Sequence, residues 1–183
     1  MDLFDLEKNF AFYAAYHSNP VNIFIHMLFV WPIFYTGLML LYFVPTLFFP
    51  NFALFFTIIY AVFYVGMEKK AGFLAAILCF LCWVGASACS TQLGFSLTWK
   101  VVLVAQLVCW TAQFLGHGVF EKRAPALLDN LIQAFLMAPF FVLLEALHHF
   151  FGYEPYPGFF DKVKVMVDAE IKEWQEKKHK KSS

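Results

Sequence analysis

The chain contains apolar runs that are too long for a small water-soluble domain. The clearest covers residues 21–44, where Asn22 and His26 are the notable polar interruptions. A run of this length spans the roughly 30 Å hydrocarbon core of a bilayer. Hydrophobic residues make up 61% of the 183 residues and charged residues only 14%, a balance unlike that of soluble domains. The chain is therefore predicted to be an integral membrane protein.

The apolar runs predict an all-α, polytopic membrane helix bundle with about four crossings. The predicted crossings are residues 21–44, 52–67, 72–89 and 101–115. Apolar residues recur at intervals of three and four over residues 2–16, so an amphipathic helix is expected to lie on the membrane surface before the first crossing. Residues 1–160 are predicted to form a single catalytic bundle. Residues 161–183 are predicted to form a charged, helical, cytosolic tail.

A fifth apolar segment, residues 131–151, contains Pro139 near its middle. A straight crossing would carry Glu145 and His148 to the opposite membrane face from the other histidines, roughly 30 Å away. Alternatively, Pro139 breaks the segment into two half-helices, which enter the membrane and turn back to the same side. Only the re-entrant form would allow one metal ion to bind all the candidate ligands.

Basic residues predict the orientation of the bundle. Lys69, Lys70, Lys122 and Arg123 fall in loops that share one side with the N-terminus, whereas the other side has Lys100. The positive-inside rule places the N-terminus in the cytosol. The C-terminal sequence Lys-Lys-Ser-Ser over residues 180–183 fits a retrieval signal for the endoplasmic reticulum that is read in the cytosol. Both termini are therefore predicted to be cytosolic in a multi-pass protein of the endoplasmic reticulum membrane.

Ionisable residues within apolar runs are costly and are therefore candidates for function. His17, His26 and His117 are predicted to lie near the cytosolic face and to bind a metal. Glu121 follows His117 by four residues, so a continuing helix would place its carboxylate beside that imidazole. Glu145 and His148 have the E-x-x-H spacing of carboxylate-histidine metal sites and complete the candidate ligands. His149 shares this segment but cannot point inward together with His148.

The number and type of these ligands limit the metal chemistry. Three to five nitrogen and oxygen donors suffice for one Fe(II) or one Zn(II), and ligand type alone does not separate the two. The net charge is zero and the chain has no basic aromatic face, so nucleic acid is not an expected partner. The expected surroundings are membrane lipid.

Two motifs resemble those of the 2-hydroxy fatty acid dioxygenases, a family of fungal membrane proteins with many uncharacterised relatives. Residues 17–26 match the pattern H-x-N-x-x-N-x-x-x-H. Residues 113–127 match Q-F-x-G-H-x-x-F-E-K-R-x-P-A-L, and Asp129, Asn130 and the stretch 138–145 follow in order. The resemblance extends over most of the chain to about Glu145.

The resemblance implies a single Fe(II) ion held by His17, His26 and His117, with Glu145 or His148 as a further candidate ligand and Glu121 as a catalytic residue. Residues of the same motifs are predicted to support the ligands (Asn19, Asn22 and Gln113) or to bind the substrate (Lys122 and Arg123). The implied reaction is α-oxidation of a long-chain 2-hydroxy fatty acid by O2 during phytosphingosine degradation. Because the hydroxy acid supplies the electrons, no obligate reductase partner is expected.

Two other functions also agree with the histidines. One is a zinc-dependent membrane lipid hydrolase in which His17, His26 and His117 hold an activated water. The other is a haem-binding electron carrier with two of the histidines as axial ligands. Oxygen dependence, metal content and the absorption spectrum distinguish these alternatives.

Overall fold

A computed structural model describes residues 2–125 and 130–182, with side chains as far as Glu176. Leu127 and Asp129 of the second motif, and the side chains of the C-terminal Lys-Lys-Ser-Ser sequence, lie outside this description. Every regular element among the described residues is a helix, which confirms the all-α prediction. The α-helices are α1 (Leu6–Ala15), α2 (Pro20–Leu41), α3 (Phe52–Met67), α4 (Lys69–Leu115), α5 (Ala138–Phe151) and α6 (Phe159–Ser182). A π-helical turn, Gly116–Glu121, extends α4, and another, Gln133–Met137, precedes α5.

Helix α4 consists of two antiparallel arms that meet at Gly94. This residue has φ 67° and ψ 165°, outside the helical region. The first arm, residues 69–93, runs parallel to α2. The Tyr35 hydroxyl donates to Cys89 Sγ, and further along both helices the Ser90 hydroxyl donates to the Met39 carbonyl. The second arm, residues 95–115, runs back along α2, where Gln106 donates to the Ile33 carbonyl. The predicted third and fourth crossings correspond to these two arms.

Helix α5 lies across one end of the bundle. Its leading π-helical turn contacts α1, since Gln133 Nε2 donates to Asn9 Oδ1 at 3.0 Å. Just beyond its last residue, Tyr153 donates to Glu68, which joins α3 to α4, at 2.8 Å. Both contacts are at the end of the bundle where α1 lies, which we call the α1 end.

Of the two alternatives for this segment, the reversal at Pro139 does not occur. The chain stays helical from Gln133 to Phe151, and Pro139 stands in the first turn of α5, directly after the π-helical turn. The π-helical turn ends at Met137, so the proline marks a change of helix type. Glu145 nevertheless remains at the α1 end, because the whole helix lies across the bundle.

Helices α1 and α6 cover the α1 end together. Asp5 caps α1 by accepting from the Lys8 backbone N–H, and Phe10 packs against Phe159 and Phe160 of α6. Helix α6 therefore covers part of the buried face of α1. That α1 also lies on a membrane surface stays a prediction. The predicted division at residue 160 falls inside α6, whose first residue, Phe159, is fully buried.

The outer surface of the bundle is apolar. Three helical stretches, Pro20–Leu41, Lys69–Glu121 and Gln133–Phe151, are long and apolar enough to cross a membrane, and α3 is a shorter apolar helix. Large apolar side chains point outward along them, among them Val62, Leu81, Val104, Leu107 and Val108. Because a soluble monomer rarely exposes so large an apolar area, this surface fits a lipid environment.

The reversal at Gly94 makes a prediction about stability. Its backbone conformation is almost confined to glycine, so we expect Gly94→Ala to reduce the free energy of unfolding by about 1–3 kcal/mol. The matched control is Gly37→Ala, because a methyl group at Gly37 meets open space within α2 and should stabilise that helix slightly. Thermal unfolding in detergent measures both. Equal melting temperatures for the two variants would contradict the assigned turn.

Candidate metal centre

Three buried histidines converge at the α1 end of the bundle. His17 lies between α1 and α2, His26 is in the second turn of α2, and His117 is in the π-helical turn after α4. The ring centroids lie 4.3 Å apart for His17 and His26, and 4.9 Å apart for each pair with His117. One nitrogen from each ring lies within 4.8 Å of the others. This spacing allows the three imidazoles to ligate one ion.

Hydrogen bonds orient two of these rings for ligation. His17 Nδ1 lies 2.7 Å from the Tyr13 carbonyl oxygen, and His26 Nδ1 lies 2.9 Å from the Asn22 carbonyl oxygen. An Nδ1–H that donates to a carbonyl leaves the Nε2 lone pair free for a metal. His17 Nε2 is buried and has no hydrogen-bond partner among the described residues. His117 Nδ1 is likewise buried without a partner in the described chain.

The electrostatic environment keeps His17 neutral. Burial is the main cause that lowers the pKa of its imidazole well below the usual range, and the neighbouring His26 and His117 lower it further. A neutral imidazole retains the lone pair that a metal requires. The cluster is therefore suited to a cation and unsuited to an additional proton.

Glu121 contacts the α2 helix, whereas the sequence analysis expected it beside His117. Its Oε1 accepts from the Asn19 backbone N–H at 2.6 Å and from Asn22 Nδ2 at 3.2 Å. The segment from His117 to Glu121 is a π-helical turn and not the continuing α-helix that the expectation assumed. Glu121 therefore supports His26 through Asn22, whose carbonyl faces His26 Nδ1.

Asn19 and Asn22 hold the start of α2 in place. Asn19 caps the helix, since its side chain accepts from the Val21 backbone N–H at 2.9 Å. Asn22 is fully buried and lies against Gly116, where a Cβ atom would collide with Asn22 Oδ1. The missing side chain at Gly116 therefore allows α2 and the second arm of α4 to approach closely enough for His26 to face His117.

Arg123 joins the helices around the centre. Its guanidinium lies 3.5 Å from the centroid of the Tyr16 ring and donates to the Ala15 carbonyl at 2.8 Å. It also lies 4.0 Å from Glu170 of α6. These contacts hold the end of α1 beside His17, while Lys122 is exposed. That either residue binds a substrate stays a prediction.

Glu145 and His148 lie outside the group of three histidines. Glu145 Oε2 accepts from the Tyr13 hydroxyl at 3.0 Å, and the Tyr13 ring stacks on His17 at 4.1 Å. His148 stacks on Phe160 at 3.6 Å, and its Nδ1 faces the Tyr153 carbonyl at 3.2 Å. Glu145 thus reaches the centre through Tyr13, and His148 packs against α6.

Two neighbouring cavities share part of their walls close to the histidines. The smaller one, about 50 Å³, is lined by the three histidines together with Tyr13, Gln113 and Gln133. The larger one, about 370 Å³, runs between α2, α3 and the second arm of α4, and its walls include Ile33, Gly37, Tyr60 and Val102. Trp110, Gln113 and Ala134 line both. We call them the head cavity and the tail cavity.

Tyr13 and Gln133 are site residues that the sequence analysis missed. Tyr13 belongs to the periodic apolar residues of segment 2–16, and it precedes His17 by one helical turn. Gln133 is a polar residue at the start of an apolar segment, a signal that could have identified it. Gln113 lines the head cavity, and its Nε2 has no hydrogen-bond partner among the described residues.

The chain is similar to known proteins over most of its length. Residues 3–150 match the family described as 2-hydroxy-palmitic acid dioxygenase Mpo1-like. The chain is 34% identical over 173 residues to the 2-hydroxy-palmitic acid dioxygenase MPO1 of Saccharomyces cerevisiae, covering 93% of each chain. No solved structure matches. The matched range spans the positions of all three histidines. The family resemblance noted in the sequence is confirmed, and the chain belongs to the Mpo1-like family.

Proposed function

We propose that this protein is an Fe(II)-dependent dioxygenase of long-chain 2-hydroxy fatty acids. The observation that carries the proposal is the buried group of three histidines that lines a small cavity beside a larger, apolar one. The similarity to a 2-hydroxy-palmitic acid dioxygenase supports the substrate class. The proposed products are the fatty acid one carbon shorter, CO2 and water.

The donor set fits a single iron ion. His17, His26 and His117 would hold it, and three protein ligands leave positions for a substrate and for O2. Bound iron would supply the activation of O2 and the polarisation of the substrate oxygens. Tyr13, with Glu145 behind it, and Asn22, with Glu121 behind it, hold two of the imidazoles in place.

The two cavities suit the two ends of the substrate. The head cavity has the histidines and two glutamines in its wall and would bind the carboxylate and the 2-hydroxyl, whereas the tail cavity would take the acyl chain. Burying the chain there contributes about 0.8 kcal/mol per methylene and fixes the position of the head.

The proposed reaction balances without another electron donor. R-CHOH-COOH and O2 give R-COOH, CO2 and H2O, with the bond between the first and second carbons broken and O2 reduced. The second carbon is oxidised from an alcohol to a carboxylic acid. Neither a reductase nor 2-oxoglutarate is required, and the pathway served would be the degradation of 2-hydroxy acids from phytosphingosine.

We place the protein in the endoplasmic reticulum membrane with the α1 end in the cytosol. Lys69, Arg123 and the lysine-rich α6 belong to this end, whereas Lys100 lies near the opposite end, beside the reversal at Gly94. This distribution follows the positive-inside rule. Both termini would then be cytosolic.

The metal centre is tested by removing a ligand. We expect purified protein with Fe(II), O2 and 2-hydroxypalmitate to form the acid one carbon shorter, and His117→Ala to lower this activity more than roughly a hundredfold together with the bound iron. His149→Ala is the matched control because His149 is exposed and lies outside the group of three. Full activity of His117→Ala would refute the centre. Hydrolysis of a lipid ester with zinc in place of iron, and without O2, would favour the hydrolase.

The tail cavity is tested by filling it. A side chain at Gly37 would project into open space in the wall of this cavity. We expect Gly37→Leu to lower kcat/KM for long acids and to shift the preference toward shorter ones, because the added side chain occupies space that the acyl chain needs. Competition between 2-hydroxy acids of different lengths measures the shift. An unchanged length profile in a folded, iron-bound variant would place the acyl chain elsewhere.

The orientation is tested with glycosylation tags. Acceptor sites added at either terminus should remain unmodified in microsomes, while a site in the connection between α2 and α3, at the opposite end of the bundle, should be modified. Glycosylation of the C-terminal tag would contradict the crosswise placement of α5, since it would require an odd number of crossings.

A further inference from the structure

Two buried glutamines in the head cavity have hydrogen-bonding atoms without partners. Gln133 is 4% exposed and Gln113 is 8% exposed. Gln133 Oε1 and Gln113 Nε2 are buried and have no partner among the described residues. Both side chains line the head cavity with the three histidines. Because buried polar atoms are nearly always paired, an acceptor and a donor left free beside a metal centre point to a ligand.

The orientation of the Gln133 amide is determined by its neighbours. Asn9 Nδ2 donates to the Asp2 and Asp5 carbonyl oxygens, both at 2.9 Å. Asn9 Oδ1 is therefore the acceptor atom that faces Gln133. Gln133 Nε2 donates to it at 3.0 Å, so the remaining Gln133 atom, Oε1, is a hydrogen-bond acceptor. A ligand that satisfies this atom must bring a donor, such as a hydroxyl group.

Gln113 supplies the opposite chemistry. It lies one helical turn before His117 on the second arm of α4, and its free atom is the amide donor Nε2. A buried N–H donor is matched by an acceptor such as a carboxylate oxygen. The same cavity therefore has one position suited to a hydroxyl and another suited to a carboxylate.

We propose that Gln133 and Gln113 together recognise the 2-hydroxy acid: Gln133 Oε1 accepts a hydrogen bond from the 2-hydroxyl, and Gln113 Nε2 donates to the carboxylate. This inference rests on the proposed function and specifies how its substrate is selected. An ordinary fatty acid leaves Gln133 Oε1 unpaired in a buried site, so it binds less tightly. Gln113 contacts a group that both acids share, so it contributes to affinity without distinguishing them.

The test measures the affinities of 2-hydroxypalmitate and palmitate for the full-length, iron-loaded protein under anaerobic conditions, where no turnover occurs. We expect the wild type to prefer the hydroxy acid, and Gln133→Met to reduce that preference about tenfold. Gln113→Met should weaken both acids by a similar factor and leave the preference unchanged. Gln92→Met is the matched control, since Gln92 is exposed near Gly94 at the opposite end of the bundle, and it should change neither affinity.

Two results would overturn the inference: a Gln133→Met variant that keeps iron and retains the wild-type preference, or one that weakens both acids equally. Should Gln133→Met fail to fold, the wild type still provides a test with 2-methoxypalmitate. This acid keeps the oxygen on its second carbon but lacks the hydroxyl proton. Binding as tight as that of the hydroxy acid would overturn the inference, and binding at least about tenfold weaker would support it.

Failure of this inference is distinguishable from failure of the proposed function. If the wild type shortens the hydroxy acid in the presence of O2 but shows no affinity preference that depends on Gln133, the function stands and the inference falls. If the preference is present and depends on Gln133 but no shortened acid forms, the recognition stands and the proposed reaction falls.

Discussion

The close packing of Asn22 on Gly116 is the contact on which the rest of the site depends. It sets the distance between α2, which begins just after His17 and contains His26, and the second arm of α4, which leads into His117. The same two helices form much of the wall of the tail cavity. Their separation therefore determines both whether three imidazoles can share one ion and how wide the adjoining cavity is. Glu121 secures this contact by bonding to both Asn19 and Asn22.

Most of the fold could be predicted from the sequence, because apolar length and turn residues are local properties. The run 52–67 was predicted with the bounds that α3 has, and Asn19 and Asn51 stand at the N-caps of α2 and α3. The histidines His17, His26 and His117 were predicted from motif and topology together. The family itself rested on the long motif around His117.

The parts that could not be predicted depend on tertiary contacts. A helix that crosses a membrane and one that lies across a bundle have the same length and composition, and only contacts such as those of Gln133 with Asn9 and Tyr153 with Glu68 distinguish them. The prediction that Glu121 lies beside His117 was wrong for a different reason. The spacing argument assumed that the α-helix continues past Leu115, whereas a π-helical turn follows there and leads Glu121 to the start of α2.

The tail cavity also affects how tightly the product of the proposed reaction would bind. A product one carbon shorter has one methylene fewer to bury, which weakens its binding by about 0.8 kcal/mol, or roughly fourfold. When its carboxylate takes the place of the substrate's, the chain is too short to fill the same space, and no hydroxyl remains beside the histidines. In the proposed reaction, a cavity of fixed length beside the histidines would thus make the product a weaker competitor than the substrate.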